Sequence, residues 1–224
     1  GTGKTLGFAL PLLMDTLGPG EDGWDDDPAS GSPQALIVLP TRELAKQVAE
    51  ELAMAAARRT VRIVQVYGGR AYEPQIEALE RGAEIVVGTP GRLIDLMDRD
   101  VLDLTHVTTV VLDEADEMLD LGFLPDVEKI LARTRSDRQT MLFSATMPGA
   151  VVALARRYMT KPTHIRAQDP GDEGMTVTTV RQVVYRTHAL NKVEVVARIL
   201  QADGRGRTII FARTKRTCAR VAED

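Results

Sequence analysis

TTVVLDEAD, residues 108 to 116, is an apolar, β-branched run that ends in a cluster of acidic residues. A run this short, bounded by polar residues and rich in Val, reads as a strand buried on both faces of a parallel sheet. Four further runs share the pattern: ALIVLP (35 to 40), VRIVQVYGG (61 to 69), AEIVVGTP (83 to 90) and RQTMLFSAT (138 to 146). Between them ELAKQVAEELAMAAARR (43 to 59), EPQIEALERG (73 to 82), RLIDLMDRD (92 to 100) and LPDVEKILARTR (124 to 135) carry apolar residues at helical spacing. Strand and helix in alternation specify an α/β fold, a doubly wound parallel sheet with helices on both faces. Ligands of such sheets bind beyond the carboxyl ends of the strands, and every motif below falls at one of those ends.

The strand at 108 to 112 delivers Asp113 and Glu114, as magnesium-assisted hydrolysis of a nucleotide requires. Asp113 can hold the metal, and Glu114 can orient and deprotonate the attacking water. At the start of the chain GTGKT (1 to 5) supplies the end of a phosphate-binding loop, and the helical LGFALPLLMDTL follows it. Backbone N–H groups and a helix N-terminus suit phosphate, Lys4 brings charge, and the Thr5 hydroxyl suits magnesium. Taken alone, the same five residues also fit an ordinary turn before a helix.

Composition agrees with a folded protein: of 224 residues, 44% are hydrophobic and 27% charged. The net charge of -4 argues against a nucleic-acid partner, but it is concentrated. GEDGWDDDP (20 to 28) holds Glu21, Asp22, Asp25, Asp26 and Asp27, and without them 27 acidic residues face 28 basic ones. Residues 18 to 33 read as a solvated loop. The single cysteine, Cys218, excludes an internal disulfide and is expected to be a small buried or half-buried residue. No apolar run is long enough for a membrane span, and residues 1 to 20 carry no signal pattern, so a cytoplasmic protein is expected.

Pro, Gly and Asp interrupt the periodicity after residue 165, which places domains at 1–165 and 177–224 with a linker at 166–176. The second part reads as strand (181 to 187), helix (189 to 203), strand (207 to 213) and helix (214 to 224). That is too little to complete a doubly wound domain.

Seven motifs in order make the sequence resemble a DEAD-box RNA helicase of the bacterial type: GTGKT, PTRELA (40 to 45), GG (68 and 69), TPGR (89 to 92), DEAD (113 to 116), SAT (144 to 146) and IIFART (209 to 214). The resemblance spans nearly the whole chain. It implies two RecA-like domains, the second only begun here, that close on ATP, Mg2+ and a short piece of RNA and separate a duplex locally. Gly1, Thr2, Gly3, Lys4 and Thr5 would bind the nucleotide, with Thr5 and Asp113 at the metal and Glu114 as catalytic base. Pro40, Thr41, Arg42, Gly68, Gly69, Thr89, Pro90, Gly91 and Arg92 would hold the RNA backbone, the arginines by pairing with phosphate in two-pronged fashion. Asp116, Ser144, Ala145 and Thr146 would couple the two sites.

Contacts of that kind agree with an aromatic content of only 4%. The cationic stretch at 204 to 222, with Arg205, Arg207, Arg213, Lys215, Arg216 and Arg220, is expected to add an RNA or phosphate surface, or else a solvated helix face. A monomer is expected. The adenine-recognition segment, the first strand and the second-domain arginine fingers of the family have no counterpart in the sequence, so the chain is expected to be an internal piece with impaired ATP binding and turnover. A DNA-directed ATPase of similar architecture and a noncatalytic RNA-binding role are the alternatives.

Overall fold

The computed structural model describes residues 3–165, 181, 183–188, 191–204 and 206–223. The chain divides into two units, Gly1–His164 and Ile165–Asp224. The first is built on five parallel strands, β1 (Ala35–Val38), β2 (Ile63–Val66), β3 (Ile85–Gly88), β4 (Thr109–Leu112) and β5 (Gln139–Leu142), in the order β2-β3-β1-β4-β5. Each falls inside an expected run. The three central strands are buried throughout, whereas the edges β2 and β5 are buried only in part, because each has a neighbour on one side alone.

Side chains alternate across the sheet and feed two cores. Ala35, Ile37, Ile85, Val87 and Val111 point to one face, where Phe8, Leu12 and Leu13 of α1 (Lys4–Asp15) and Val48 and Leu52 of α2 (Arg42–Ala55) cover them. Pro11 removes one N–H from the interior of α1, and packing of Phe8, Ala9, Leu12 and Leu13 holds the helix regardless. Leu36, Val38, Val86, Val110 and Leu112 face the other way. There they meet α4 (Pro90–Met97), α5 (Ala115–Asp120), α6 (Leu124–Ala132) and α7 (Gly149–Tyr158), with α3 (Glu73–Glu80) at the margin. Each buried leucine, such as Leu52 or Leu93, contributes about 1.5–3 kcal/mol over an exposed one.

Two expectations within this unit change. The acidic loop is not simply solvated: Glu21 is ion-paired with Arg59, accepts from the Gly18 N–H at 2.8 Å, and has its carboxyl held below the usual range chiefly by the Arg59 hydrogen bond. The short α5 escapes the periodic reading because six residues are too few to show a helical repeat.

In the second unit α8 (Lys192–Leu200) and α9 (Lys215–Glu223) form as expected, but neither buries a residue. The two expected strands do not form among the described residues: 183–188 and 207–213 carry no strand, and Val184, Tyr185, Ile209 and Phe211 stand in solvent. Two short segments with two small helices bury too little apolar surface to hold a sheet. For the same reason Cys218 is exposed rather than buried. The expected linker at 166–176 and Arg205 lie outside the described residues. No described helix is long and apolar enough to cross a membrane.

Candidate functional site

The strands end level. Val66 pairs with Gly88, Gly88 with Val38, Val38 with Leu112 and Leu112 with Leu142, so five loops leave the sheet along one edge. In spatial order these are 67–71, 89–92, 39–42, 113–116 and 143–146, and the order sorts the motifs into two halves. GG, TPGR and PTRELA follow β2, β3 and β1; DEAD and SAT follow β4 and β5.

On the second half, Asp113 leaves β4 with its N–H donating to the Val38 carbonyl at 3.1 Å, and it is 5% exposed. Burial drives its carboxyl pKa up, against the pull of the Lys4 charge. Its Oδ1 accepts from the Glu114 N–H at 2.9 Å. Glu114 occupies the left-handed region at φ 51, a conformation costly for a residue with a Cβ, and the bond from the Ala115 N–H to the Phe143 carbonyl at 3.0 Å ties down the turn beside it. The turn aims Glu114 Oε1 at Lys4 Nζ, 2.5 Å away.

Lys4 opens α1 behind Gly3, which serves as N-cap at φ 71. Burial pulls the Lys4 pKa down, but the hydrogen bond to Glu114 and the charges of Glu114, Asp113 and Asp116 outweigh it and leave it raised. Glu51 of α2 lies beside Thr5 and accepts from Gln47 Nε2 at 2.9 Å, and Gln47 first, then Thr5, hold its carboxyl below the usual range. Sequence reasoning passed over Glu51, since only the packing of α1 on α2 brings it to Thr5. Gly1 and Thr2 lie outside the described residues.

Asp116 Oδ2 accepts from both the Thr146 N–H (2.9 Å) and the Thr146 hydroxyl (2.7 Å). The Asp116 N–H donates to Ser144 Oγ at 3.1 Å, and that hydroxyl donates to the Thr146 carbonyl at 2.7 Å. Burial pushes the Asp116 pKa up, yet these hydrogen bonds prevail and hold it below the ordinary value. DEAD and SAT are thus locked together through Asp116, Ser144 and Thr146, while Ala145 is an exposed link between them. A cation here would find the Asp113 carboxylate and the Thr5 hydroxyl, oxygen donors suited to a hard divalent ion. No group of three or more His, Cys, Asp or Glu side chains is placed to hold a metal among the described residues, so such an ion needs phosphate or water oxygens to complete its shell.

The first half is a groove of about 570 Å³ lined by Pro40, Thr41, Arg42, Glu43, Gly68, Thr89, Gly91, Arg92, Asp95 and Phe123. Thr41 caps α2: its Oγ1 accepts from the Leu44 N–H at 3.3 Å, which leaves the hydroxyl hydrogen free to donate. Arg42 is exposed, paired through Nε with Glu43 at 2.6 Å. Gly69 sits at φ 76, and a Cβ there would lie 3.0 Å from Arg42 Nη1, so the arginine lies directly over the glycine turn. Thr89 is the N-cap of α4 and makes no side-chain cap bond; Pro90 follows at the first turn, and Gly91 is exposed. The open N-terminal N–H groups of α4 therefore face the groove with a free hydroxyl beside them.

Arg92 departs from expectation. It is 7% exposed, its guanidinium carbon lies 3.7 Å from the centre of the Tyr72 ring, and Nη2 donates to the Arg70 carbonyl at 3.0 Å. Such a fork is not presented to a phosphate in two-pronged fashion; the aromatic ring and the carbonyl occupy it, and Nη1 is buried with no partner among the described residues. Tyr72 in turn donates its hydroxyl to Asp95 at 2.9 Å and lies 4.3 Å from the Arg99 guanidinium. Glu43 was missed although it lies inside PTRELA, and Asp95 and Phe123 because nothing in their local sequence ties them to the groove. Gly88 was missed although the signal was there, a glycine closing an all-β-branched run: a Cβ on it would meet the Val66 carbonyl oxygen at 2.5 Å.

The family model for DEAD/DEAH box helicases matches residues 1–154. The chain is 42% identical over 223 residues to a DEAD-box ATP-dependent RNA helicase, CshA, of Geobacillus kaustophilus, covering all of this chain and 45% of the relative. It is 44% identical over 227 residues to the ATP-dependent RNA helicase DeaD of Escherichia coli, covering all of this chain and 34% of that one. The chain thus spans less than half the length of these relatives. Among solved structures, a DEAD box protein from Methanococcus jannaschii is similar with a TM-score of 0.68 and 37% identity, over 99% of this chain and 55% of that one. With its family signature over residues 1–154 and five of its motifs gathered along one sheet edge, the chain belongs to the DEAD/DEAH box helicase family.

Proposed function

We propose that the chain forms the ATP-binding half and RNA-gripping floor of an ATP-dependent RNA helicase, acting in the cytoplasm on RNA backbones. The observation that carries the reading is convergence: Pro40 to Arg42, Gly68, and Thr89, Gly91 and Arg92 come from three separate loops to line one groove, next along the sheet edge to the Lys4–Glu114 pair. Sugar and phosphate contacts suffice to hold RNA there, through the hydroxyls of Thr41 and Thr89, the Arg42 guanidinium, and backbone N–H groups at the glycine turn and the start of α4.

On the other half, Lys4 and the N-terminus of α1 neutralise the phosphates of ATP. Asp113 and Thr5 would hold Mg2+, which when bound offsets charge on the transferring phosphoryl group. Glu114 is released from Lys4 as phosphate takes the ammonium, and is then free to orient and deprotonate the attacking water. Asp116 answers through Ser144 and Thr146, so a change at the nucleotide is felt at the end of β5.

The test is separation of a short RNA duplex by the protein as the cell makes it, with ATP and magnesium. Glu114→Gln is expected to abolish multiple-turnover strand separation while ATP-dependent RNA binding persists. Undiminished strand separation by that variant would remove Glu114 from its role.

A further inference from the structure

Two adjacent glycines make a poor scaffold, because each has more backbone freedom to lose than any other residue. Among the described residues, Tyr67 to Ala71 make no hydrogen bond from main chain to main chain. Something outside the turn must therefore hold it, and side chains of two helices do so.

Gln75, in the first turn of α3 and 3% exposed, has its whole carboxamide engaged. Its Oε1 accepts from the Tyr67 N–H at 3.1 Å, and its Nε2 donates to the Ala71 carbonyl at 2.8 Å and more distantly to the Tyr67 carbonyl at 3.4 Å. From α4, Arg92 adds its bond to the Arg70 carbonyl, steadied by the Tyr72 ring. Both ends of the turn are thereby fixed, and the glycine N–H groups are left for a ligand. Only an amide of this length supplies one acceptor and two donors at these positions; a glutamate would set a carboxylate against two carbonyls, and a methionine would leave all three groups bare.

We propose that Gln75 is a positioning residue for RNA: it never touches the strand, but pre-forms the Gly68–Gly69 turn that does. The inference rests on the groove being the RNA seat. Holding the turn in its bound shape beforehand lowers the ordering cost of binding, so its loss falls on the RNA concentration required rather than on the chemical step.

The experiment measures ATP hydrolysis by the protein as the cell makes it against increasing single-stranded RNA, for the unaltered protein, Gln75→Met, Gln75→Asn and Arg42→Ala, together with amide exchange at Tyr67. Gln75→Met is expected to raise the half-saturating RNA concentration about tenfold and to expose the Tyr67 amide, with the rate at saturating RNA and the RNA-independent rate held within about twofold. Gln75→Asn, one methylene short, is expected to fall between, and it reads the effect even if the methionine variant folds poorly. An unshifted half-saturation in a variant whose Tyr67 amide exchanges freely overturns the inference. So does a maximal rate that falls with thermal stability while half-saturation stays put, since that marks a purely structural residue. If Arg42→Ala shifts nothing either, it is the groove assignment that fails.

Discussion

On the groove half of the sheet edge Arg42, Thr89 and the glycine turn keep groups open to the groove, although Arg92 is buried against Tyr72, while on the carboxylate half the polar groups face one another. Thr89 caps α4 without using its hydroxyl, Arg42 is exposed, and the glycine turn is held from behind. Across the edge Lys4 is paired with Glu114 and Asp116 with Thr146, so the side chains best suited to a nucleotide already bind each other. The difference separates two ways of receiving phosphate. On the proposed function an RNA backbone would meet a preformed surface, whereas a nucleotide would have to displace an internal ion pair, and the energy of that exchange would be available to move the parts tied to it.

The largest expected effect breaks the carboxylate half alone. Glu114→Gln is expected to lower turnover by about 10²–10⁴-fold, as loss of a general base does, while removing the anion that competes for Lys4. Nucleotide affinity should therefore hold or rise, and equilibrium binding of a labelled nucleotide checks it. Lys4→Ala, which removes the same ion pair from the other side, is expected to lose affinity as well as turnover. Next in size, Arg42→Ala breaks the groove half alone. A lost charged contact to phosphate is expected to cost roughly 1.5–3 kcal/mol of RNA binding and to flatten its salt dependence by about one phosphate, with RNA-independent hydrolysis unchanged.

Much of this partition was legible beforehand. Short apolar runs bounded by turn residues mark all five strands, and the rule that ligands gather at carboxyl ends places the motifs along one edge, because strand patterns and turn residues are local signals. Three kinds of feature were not local. Gln75 reads as one more polar residue at a helix start until the turn of Tyr67 to Ala71 is seen to lack main-chain partners. Arg92 reads as an exposed cation until Tyr72, twenty residues earlier, is found against it. In the second unit the apolar alternation of 181 to 187 and 207 to 213 is a necessary sign of strands and not a sufficient one: a strand also needs a paired neighbour and a covered face, which the sequence pattern does not report.

A smaller effect joins the two halves. Gly88→Ala would force a methyl against the Val66 carbonyl and Leu93, at the point where β2, β3 and α4 meet below the groove. Overpacking there is expected to cost about 1–3 kcal/mol in thermal or denaturant unfolding. If the halves are as independent as their hydrogen bonds indicate, RNA half-saturation suffers in this variant well before the RNA-independent rate does.

The smallest effect is a matter of pH. The folded-state pKa of Asp116 lies below its ordinary value of 3.8, so its contribution to stability is fully present above that value and is lost as pH falls through the lower folded one. The glycine turn is held by a neutral amide and a guanidinium, which do not titrate there. Acid below about pH 3.8 should therefore loosen the Asp116–Thr146 link before the turn at 67–71. Amide exchange at Thr146, corrected for its intrinsic rate and compared with that at Tyr67 as pH is lowered, is expected to rise first.

The most direct test of the whole account is phosphate release from ATP by the protein as the cell makes it, with single-stranded RNA and single-stranded DNA side by side. Stimulation by RNA and not by DNA, weakened in Arg42→Ala and absent in Glu114→Gln, is the result expected if one half of the edge grips RNA and the other hydrolyses ATP. Equal stimulation by DNA, or stimulation that Arg42→Ala leaves untouched, would contradict it.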